Sequence, residues 1–111
     1  MLPKSLRIPR KLFSQLKNGG KTFKNRLFLL KFAPNQEKDE QKRFTFSVSK
    51  KISKSAVVRN KLRRLGYRLL KPLISEIKPN ILASFSFLRV PIDIKDADEN
   101  LKSILLESRL L

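Results

Sequence analysis

The clearest pattern in this chain is the strict alternation of apolar and polar residues over positions 43–49. Phe44, Phe46 and Val48 fall on one side of this segment, whereas the other side carries small polar groups such as Ser47. Alternation with a period of two is typical of a β-strand that buries one face and leaves the other open. The pattern therefore predicts a strand in a sheet whose second face is only partly covered.

Two further segments predict strands. Residues 22–33 are rich in strand-forming side chains, and residues 80–90 alternate in a similar way. The second face of the first of these strands is expected to join that of 43–49 in a shallow platform, which suits an extended strand of nucleic acid. The residues expected on this platform are Leu27, Leu29, Lys31, Ser47 and Ser49.

Helical periodicity occurs near both ends of the chain. A short amphipathic helix is predicted from about Pro9 to Asn18, because the glycines that follow it stop a helix. A last helix is predicted to start at a capping box formed by residues 96–99, whose acids suit the positive end of a helix. Its expected inner face consists of Leu101, Ile104, Leu105 and Ser108.

A long helix is predicted after residues 50–55. Ser53 or Ser55 can cap its start, and Pro72 ends or kinks it. Gly66 lies in its interior, where glycine costs about 1 kcal/mol relative to alanine, and the sequence shows no packing reason for it. The residues expected to form its buried stripe are Val58, Leu62, Leu65 and Leu69.

The order of these elements is helix, two or three strands, helix, strand and helix, which is typical of an α+β domain with one sheet. The 111 residues are enough for one compact domain and too few for two. The sequence therefore predicts a single αβββαβα-like domain over residues 1–111, with residues 1–8 flexible.

The charge of the chain points to its partner. Lys and Arg number 26 against 9 acidic residues, which gives a net charge of +17. Nine of these cations lie between Lys50 and Lys71, a segment without any acid. Like charges on one helix repel each other, so folding alone gives no reason to accumulate them. A pI near 10.9 with clustered cations is typical of nucleic-acid binders, and nucleic acid is the expected partner.

Several residue types are absent. The chain has no Cys and no His, which removes disulfides, zinc knuckles, thiolate nucleophiles and the usual general base. We therefore expect no catalytic side chain and no metal ligand set in the protein itself. No apolar run approaches the roughly 20 residues of a membrane helix, so no membrane partner is expected. Residues 1–4 lack the apolar core of a signal peptide, and a cytoplasmic location is expected.

Motifs in and around the basic segment carry a family resemblance. Ser47-Val48-Ser49-Lys50-Lys51 is followed by Arg59-Asn60-Lys61, and the outer motifs are Asn25-Arg26-Leu27-Phe28 and Arg89-x-Pro91. With these motifs the chain resembles the protein components of bacterial ribonuclease P over most of its length. It departs from the family pattern at Thr45, Ser53, Lys61 and residues 66–68, and it has Lys17 and Lys31 where the family often has an aromatic side chain.

The resemblance implies a ribosomal-protein-S5-domain-2-like fold with one mixed sheet. It also implies that a large RNA subunit performs the chemistry, a hydrolysis assisted by Mg²⁺ that removes the 5′ leader from precursor tRNA. The protein then binds no cofactor tightly, and one protein joins one RNA subunit. By motif position, the RNA subunit is bound by Lys50, Lys51, Lys54, Arg59, Asn60, Lys61, Arg63, Arg64 and Arg68. The leader is bound by Phe13, Lys17, Leu29, Lys31, Ser47, Arg59 and Asn60.

Three alternatives stay open on the residues alone. Phe13 either stacks on a base or is a core residue beneath the sheet. A basic ribosomal or RNA-chaperone protein with no associated enzyme would share the charge and the fold class, but it has no reason to share the motif spacing. A self-contained nuclease would need paired carboxylates or histidines near the basic face, whereas Asp39, Glu40, Asp93 and Asp96 lie in predicted loops or caps.

Overall fold

Helices and strands follow one another in the order αβββαβα in this computed structural model, which describes residues 6–35 and 42–111. The elements are α1 (Phe13–Gly19, preceded by a 3-10 turn at Arg10–Leu12), β1 (Lys21–Lys24), β2 (Phe28–Pro34), β3 (Arg43–Ser47), α2 (Ala56–Leu70, continued by a 3-10 turn at Lys71–Glu76), β4 (Ile81–Phe87) and α3 (Ile94–Glu107). The predicted order and fold class are confirmed. Residues 1–5 of the segment expected to be flexible lie outside the described residues, whereas Ile8 is buried.

The strands form one mixed sheet in the order β1-β2-β4-β3. Strand β2 pairs antiparallel with β1 and β4, whereas β3 pairs parallel with β4. Parallel neighbours need a crossover connection, and α2 provides it between β3 and β4. Strand β3 is consequently an edge strand, and its last residue, Ser47, leads through residues 48–55 into α2.

The segment 22–33 is not one strand, so this prediction is wrong. Asn25 interrupts it, because its Oδ1 accepts hydrogen bonds from the backbone N–H groups of Leu27 at 3.0 Å and Phe28 at 2.8 Å. The same side chain donates to the backbone carbonyl of Asn100 at 2.9 Å, which ties the β1–β2 turn to α3. Leu27 is completely buried in the main core and does not lie on the predicted platform.

One face of the sheet, the closed face, is covered by α2 and α3. Phe28 lies opposite Phe87 across β2 and β4, and Phe46 lies opposite Phe85 across β3 and β4. The Phe46 and Phe85 rings stack with centroids 4.7 Å apart. Such ring pairs add about 0.5–1.5 kcal/mol each beyond the burial of their area. Phe44, Phe46 and Val48 are buried as predicted, and β4 buries Ile81, Ala83, Phe85 and Phe87 on the same face.

Helix α2 packs on the closed face through a line of residues that differs from the predicted stripe. Its buried residues are Leu62, Gly66, Tyr67 and Leu70. Val58 is 36% exposed, so the predicted stripe is wrong there. It is correct at Leu62, and Leu65 and Leu69 pack against the core but remain half-buried. The reason is that the helix packs tightly against Phe46 of the sheet at Gly66, a residue that a pattern of apolar side chains does not include.

Gly66 is required by the ring of Phe46. A Cβ atom at position 66 would lie 2.6 Å from Cδ1 of Phe46, a distance at which one of the two groups must move. In the next position, the Tyr67 hydroxyl accepts a hydrogen bond from the backbone N–H of Phe46 at 3.2 Å, and the two rings meet edge to face. Close packing against β3 is thus the reason for glycine inside this helix.

Helix α3 starts earlier than the predicted capping box, so the predicted start is wrong. Its N-cap is Asp93, whose Oδ1 accepts a hydrogen bond from the backbone N–H of Asp96 at 2.7 Å. Asp96 lies in the first turn, where its side chain binds Arg26 and accepts from the N–H of Ile92 at 2.9 Å. The hydrogen bond from Arg26, followed by that from Ile92, lowers the pKa of Asp96 below its ordinary value. The predicted inner face is buried: Leu101, Ile104, Leu105 and Ser108.

Helix α1 covers only one end of the other sheet face. Leu12 and Leu16 of this helix region pack on Ala33 and Leu82, and Ile8 completes this small second core. The predicted short helix near the N-terminus is confirmed. The rest of this sheet face carries no helix in the described part of the chain.

Candidate nucleic-acid interface

The part of the sheet beyond α1 presents two rows of side chains, which together make up the open face. One row runs across the strands through Lys24, Leu29, Ser86 and Ser47, and the other through Thr22, Lys31, Ser84 and Thr45. Residues directly opposite each other in neighbouring strands point to the same side of a sheet, so the strand register defines these rows. The next row contains Ala33 and Leu82 and is covered by α1.

The open face is polar and positively charged. Lys24, Lys31 and Ser47 are exposed, and Ser84 and Ser86 are half-buried. The hydroxyl oxygens of Ser47 and Ser86 are 3.0 Å apart and share a hydrogen bond. The two rows contain no acid, so they offer cations and hydroxyl groups to an anionic chain.

The structure brings part of the predicted platform together. Leu29, Lys31 and Ser47 share the open face, as predicted from the sequence. The prediction is wrong for Leu27, which is in the core, and for Ser49, which lies beyond the end of β3. Sequence reasoning missed four residues of this face: Thr22, Lys24, Ser84 and Ser86. It placed Thr45 on the polar side of its strand without assigning it to the platform. The alternation in 80–90 marks the two serines as a polar side, but only the strand order puts β4 in the middle of the platform.

Phe13 and Lys17 lie one turn apart on α1, the helix that borders the open face. Both are exposed, and Phe13 is 40% exposed. This exposure excludes the alternative in which Phe13 is a core residue beneath the sheet. Leu12 and Leu16 anchor the helix instead, so the Phe13 ring is presented by a fixed backbone and is available for stacking.

Arg59, Asn60 and Arg63 form a preorganised cluster at the start of α2. Nη1 of Arg59 donates to the backbone carbonyls of Ser53 and Lys54, both at 3.0 Å. Arg63 donates to Oδ1 of Asn60. Both arginines are half-buried, and no carboxylate of the described residues pairs with either of them. Guanidinium groups fixed in this way keep their charge and further N–H donors for a phosphate.

The opposite side of α2 carries a second set of cations without such support. Lys61, Arg64 and Arg68 are exposed there, and with Lys71 they line a shallow groove of about 610 Å³ that also includes Ile94. Within residues 6–35 and 42–111, no hydrogen bond or ion pair holds these side chains. They attract a polyanion through charge rather than through fixed geometry.

The cations of α2 and those of the segment between β3 and α2 together form the basic surface. The segment adds the exposed side chains of Lys50, Lys51 and Lys54. Acids of α3 are engaged elsewhere, since Asp96 binds Arg26 and Asp98 binds Lys102. In the described part of the chain, no three acidic side chains come together as a possible metal site. No acid of residues 6–35 and 42–111 therefore pairs with the basic surface next to the edge strand β3.

A comparison with known protein families identifies the family to which this chain belongs. The family model described as Ribonuclease P matches residues 2–104. The chain belongs to the ribonuclease P protein family. A ribonuclease P protein component from Lactobacillus gasseri is 29% identical over 105 residues, which cover 89% of this chain and 82% of that protein. The resemblance seen in the motifs is thereby confirmed.

Solved structures of ribonuclease P proteins have the same fold. The Staphylococcus aureus protein is 27% identical with a TM-score of 0.78, over 96% of this chain and 98% of that one. A mutant of the Staphylococcus aureus protein with defective mRNA degradation activity gives a TM-score of 0.83 at 24% identity, over 97% and 92% of the two chains. The Thermotoga maritima protein gives 0.75 at 22% identity, over 91% and 96%.

Membership of the ribonuclease P protein family establishes an RNA-binding role in tRNA processing. It also implies partnership with ribonuclease P RNA. Among the helices of the described residues, none has the length and apolar character needed to cross a membrane.

Proposed function

We propose that this chain docks on ribonuclease P RNA through the basic surface around α2 and holds the 5′ leader of precursor tRNA on the open face. The RNA subunit hydrolyses the phosphodiester bond, and the protein strengthens binding of the precursor through its leader. One protein joins one RNA subunit, in the cytoplasm.

The observation that carries the docking role is the preorganised cluster. Arg59 is already fixed by the carbonyls of Ser53 and Lys54, so little side-chain freedom is lost when it meets a phosphate. A guanidinium can bind phosphate oxygens through two parallel N–H groups, which a lysine cannot do. The other residues assigned to the RNA subunit are Lys50, Lys51, Lys54, Asn60, Lys61, Arg63, Arg64 and Arg68.

The open face supports leader binding because an extended polyanion fits across its two rows. Lys31 lies inside one of these rows, where it can neutralise a phosphate, and Leu29 lies beside it. Phe13 on α1 can stack on a base, a contact that is worth about 1–3 kcal/mol in single-strand binders. The other residues assigned to the leader are Lys17, Ser47, Arg59 and Asn60.

The proposal assigns no chemical step to a protein side chain. Mg²⁺ bound to the RNA supplies Lewis-acid activation of water and of the phosphoryl group. Mg²⁺ is usually held by one or two carboxylates together with phosphate oxygens and water. The described residues bring no acidic cluster to the basic surface, so the ligands in this proposal come mainly from RNA phosphates.

Reconstitution tests this function. The full chain is combined with a bacterial ribonuclease P RNA at low magnesium, and cleavage of precursor tRNA is measured with and without the protein. We expect the protein to stimulate cleavage. In the variant Arg59→Ala/Arg63→Ala, binding of the RNA subunit should weaken. The logarithm of the association constant falls linearly with the logarithm of the salt concentration. The magnitude of this slope should decrease by about 0.7–0.9 for each lost phosphate contact.

A matched variant separates position from total charge. Lys95→Ala/Lys102→Ala also removes two positive charges, but on α3, where these lysines pair with Glu99 and Asp98. This variant should keep the wild-type salt slope. Equal slopes in all three proteins would contradict docking through the preorganised cluster, and no stimulation of cleavage would contradict the function itself.

A further inference from the structure

The open face differs from an ordinary single-strand binding platform in the side chains that it presents. Its two rows hold two lysines, one leucine and five hydroxyl side chains: Lys24, Lys31, Leu29, Thr22, Thr45, Ser47, Ser84 and Ser86. Platforms that bind single strands through their bases rely on aromatic side chains for stacking. These two rows contain none, since Phe13 lies on α1 outside them.

We propose, building on the leader-binding function above, that the hydroxyl side chains of the open face bind the ribose 2′-hydroxyl groups of the leader. The site would then select an RNA leader over a DNA leader. A leader bound in this way has its sugar–phosphate backbone against the sheet and its bases directed away from it.

The lysines support this orientation of the bound strand. Lys24 and Lys31 lie on neighbouring strands in adjacent rows, so positive charge is spread over the β1–β2 side of the open face. Both side chains are exposed, and neither forms an ion pair with any described acid. Phosphate groups are therefore drawn toward the sheet, and the riboses attached to them come with them.

Hydrogen-bond capacity then distinguishes ribose from deoxyribose. A serine or threonine hydroxyl donates one hydrogen bond and accepts two, whereas a phosphate oxygen only accepts. A phosphate can thus accept hydrogen bonds from the hydroxyl groups of this face, but it cannot donate to the hydroxyl oxygens. A 2′-hydroxyl both donates and accepts, and it is the group by which proteins tell RNA from DNA.

The β3–β4 side of the open face contains two hydroxyl groups that hold no other described residue. Thr45 and Ser84 are directly paired across β3 and β4 and are half-buried. Neither hydroxyl has a side-chain hydrogen bond to another described residue, in contrast to Ser47 and Ser86, which bind each other. Two partly enclosed hydroxyls side by side form a fixed polar contact point for a bound strand.

The experiment compares three RNAs in holoenzyme reconstituted from the full chain and a bacterial ribonuclease P RNA. They are mature tRNA, precursor with an RNA leader, and precursor with a 2′-deoxy leader that keeps ribose at the nucleotide next to the scissile bond. Equilibrium binding is measured with calcium in place of magnesium to slow cleavage. We expect the wild type to bind the RNA leader about five- to tenfold more tightly than the deoxy leader, which corresponds to about one net hydrogen bond.

Variants assign the preference to its residues. Thr45→Val/Ser84→Ala should lose most of the preference for the RNA leader, and its affinity for that leader should fall close to the wild-type affinity for the deoxy leader. Ser86→Ala, a milder change on the same strand, should reduce the preference in part. Ser103→Ala removes an exposed hydroxyl from α3 and should leave the preference intact. Urea unfolding of each variant identifies any that is destabilised. If Thr45→Val/Ser84→Ala is destabilised, the leader preference of Ser86→Ala is the test of the 2′-hydroxyl contact.

The outcomes separate this inference from the function on which it rests. Equal binding of both leaders by the wild type, with both bound more tightly than mature tRNA, would overturn the 2′-hydroxyl contact alone. A preference that survives in Thr45→Val/Ser84→Ala and Ser86→Ala would also overturn it. Equal binding of all three RNAs would overturn leader binding as well.

Discussion

The closed and open faces of the sheet are built from the same strands but present different side chains. Along β4, Phe85 is fully buried under the helices, whereas Ser84 and Ser86 point to the open side. On the closed face, aromatic rings pack against each other and against α2. On the open face, lysines and hydroxyls remain accessible because α1 covers only the apolar row with Ala33 and Leu82.

Under the proposed function, this difference separates stability from binding along each strand. Adjacent residues point to opposite faces, so one position contributes to packing and the next to the proposed interface. Changes on the closed face should therefore alter the free energy of unfolding, and changes on the open face or its border should alter RNA affinity. Three sets of measurements on variants test this separation.

The largest expected effect is on the closed face. Phe85→Ala should lower the free energy of unfolding by about 3–5 kcal/mol, because it leaves a cavity among packed rings. Ser84→Ala, on the neighbouring residue, should change it by less than about 0.5 kcal/mol. Urea unfolding of the isolated protein measures both values. A similar decrease in the free energy of unfolding of the two variants would contradict the separation between the faces.

An intermediate effect is expected at the border of the open face. Phe13→Ala should weaken binding of precursor tRNA by about 1–3 kcal/mol, because a stacked base loses its ring partner. Binding of mature tRNA and the free energy of unfolding should barely change, since Phe13 is 40% exposed. Phe13→Tyr keeps the ring and serves as the matched control. Equal losses on precursor and mature tRNA would contradict the assignment to the leader.

The smallest effect is expected where α3 joins the β1–β2 turn at the margin of the closed face. Arg26 and the N–H of Ile92 bind Asp96 and lower its pKa from the ordinary value of 3.8. The unfolded chain therefore binds a proton at a higher pH than the folded one does. The contribution of Asp96 to stability is complete above pH 3.8 and is lost as the pH falls through the lower folded-state pKa.

Asp96→Asn measures this contribution, because asparagine does not titrate in this range. We expect the wild type to exceed the variant in unfolding free energy near neutral pH, and the difference to shrink below pH 3.8. Urea unfolding at both pH values gives the comparison, and RNA affinity near neutral pH should be unchanged. A difference that does not depend on pH would show that the carboxylate charge is not responsible.

The sequence alone determined the parts of this protein that depend on local pattern. The alternation over 43–49 and 80–90 identified two strands and their buried sides, because a period of two reflects strand geometry directly. The order of elements gave the α+β class. The acid-free segment around Arg59 and Arg63 and the motifs of the basic segment predicted an RNA-binding protein of the ribonuclease P family, which the family match confirms.

Only the tertiary structure decided the features that depend on distant partners. The turn that Asn25 forms between β1 and β2 is held against α3 through Asn100, and Gly66 is required by a ring of β3, residues far away in the sequence. The open face likewise depends on the position of β4 between β2 and β3, and on α1 packing over only one end of this side of the sheet. A hydrophobic period shows which side of a strand is buried, but it carries no information about which strands become neighbours. Strand order is determined by contacts between distant segments, and these contacts bring the serines of β4 between Lys31 and Ser47.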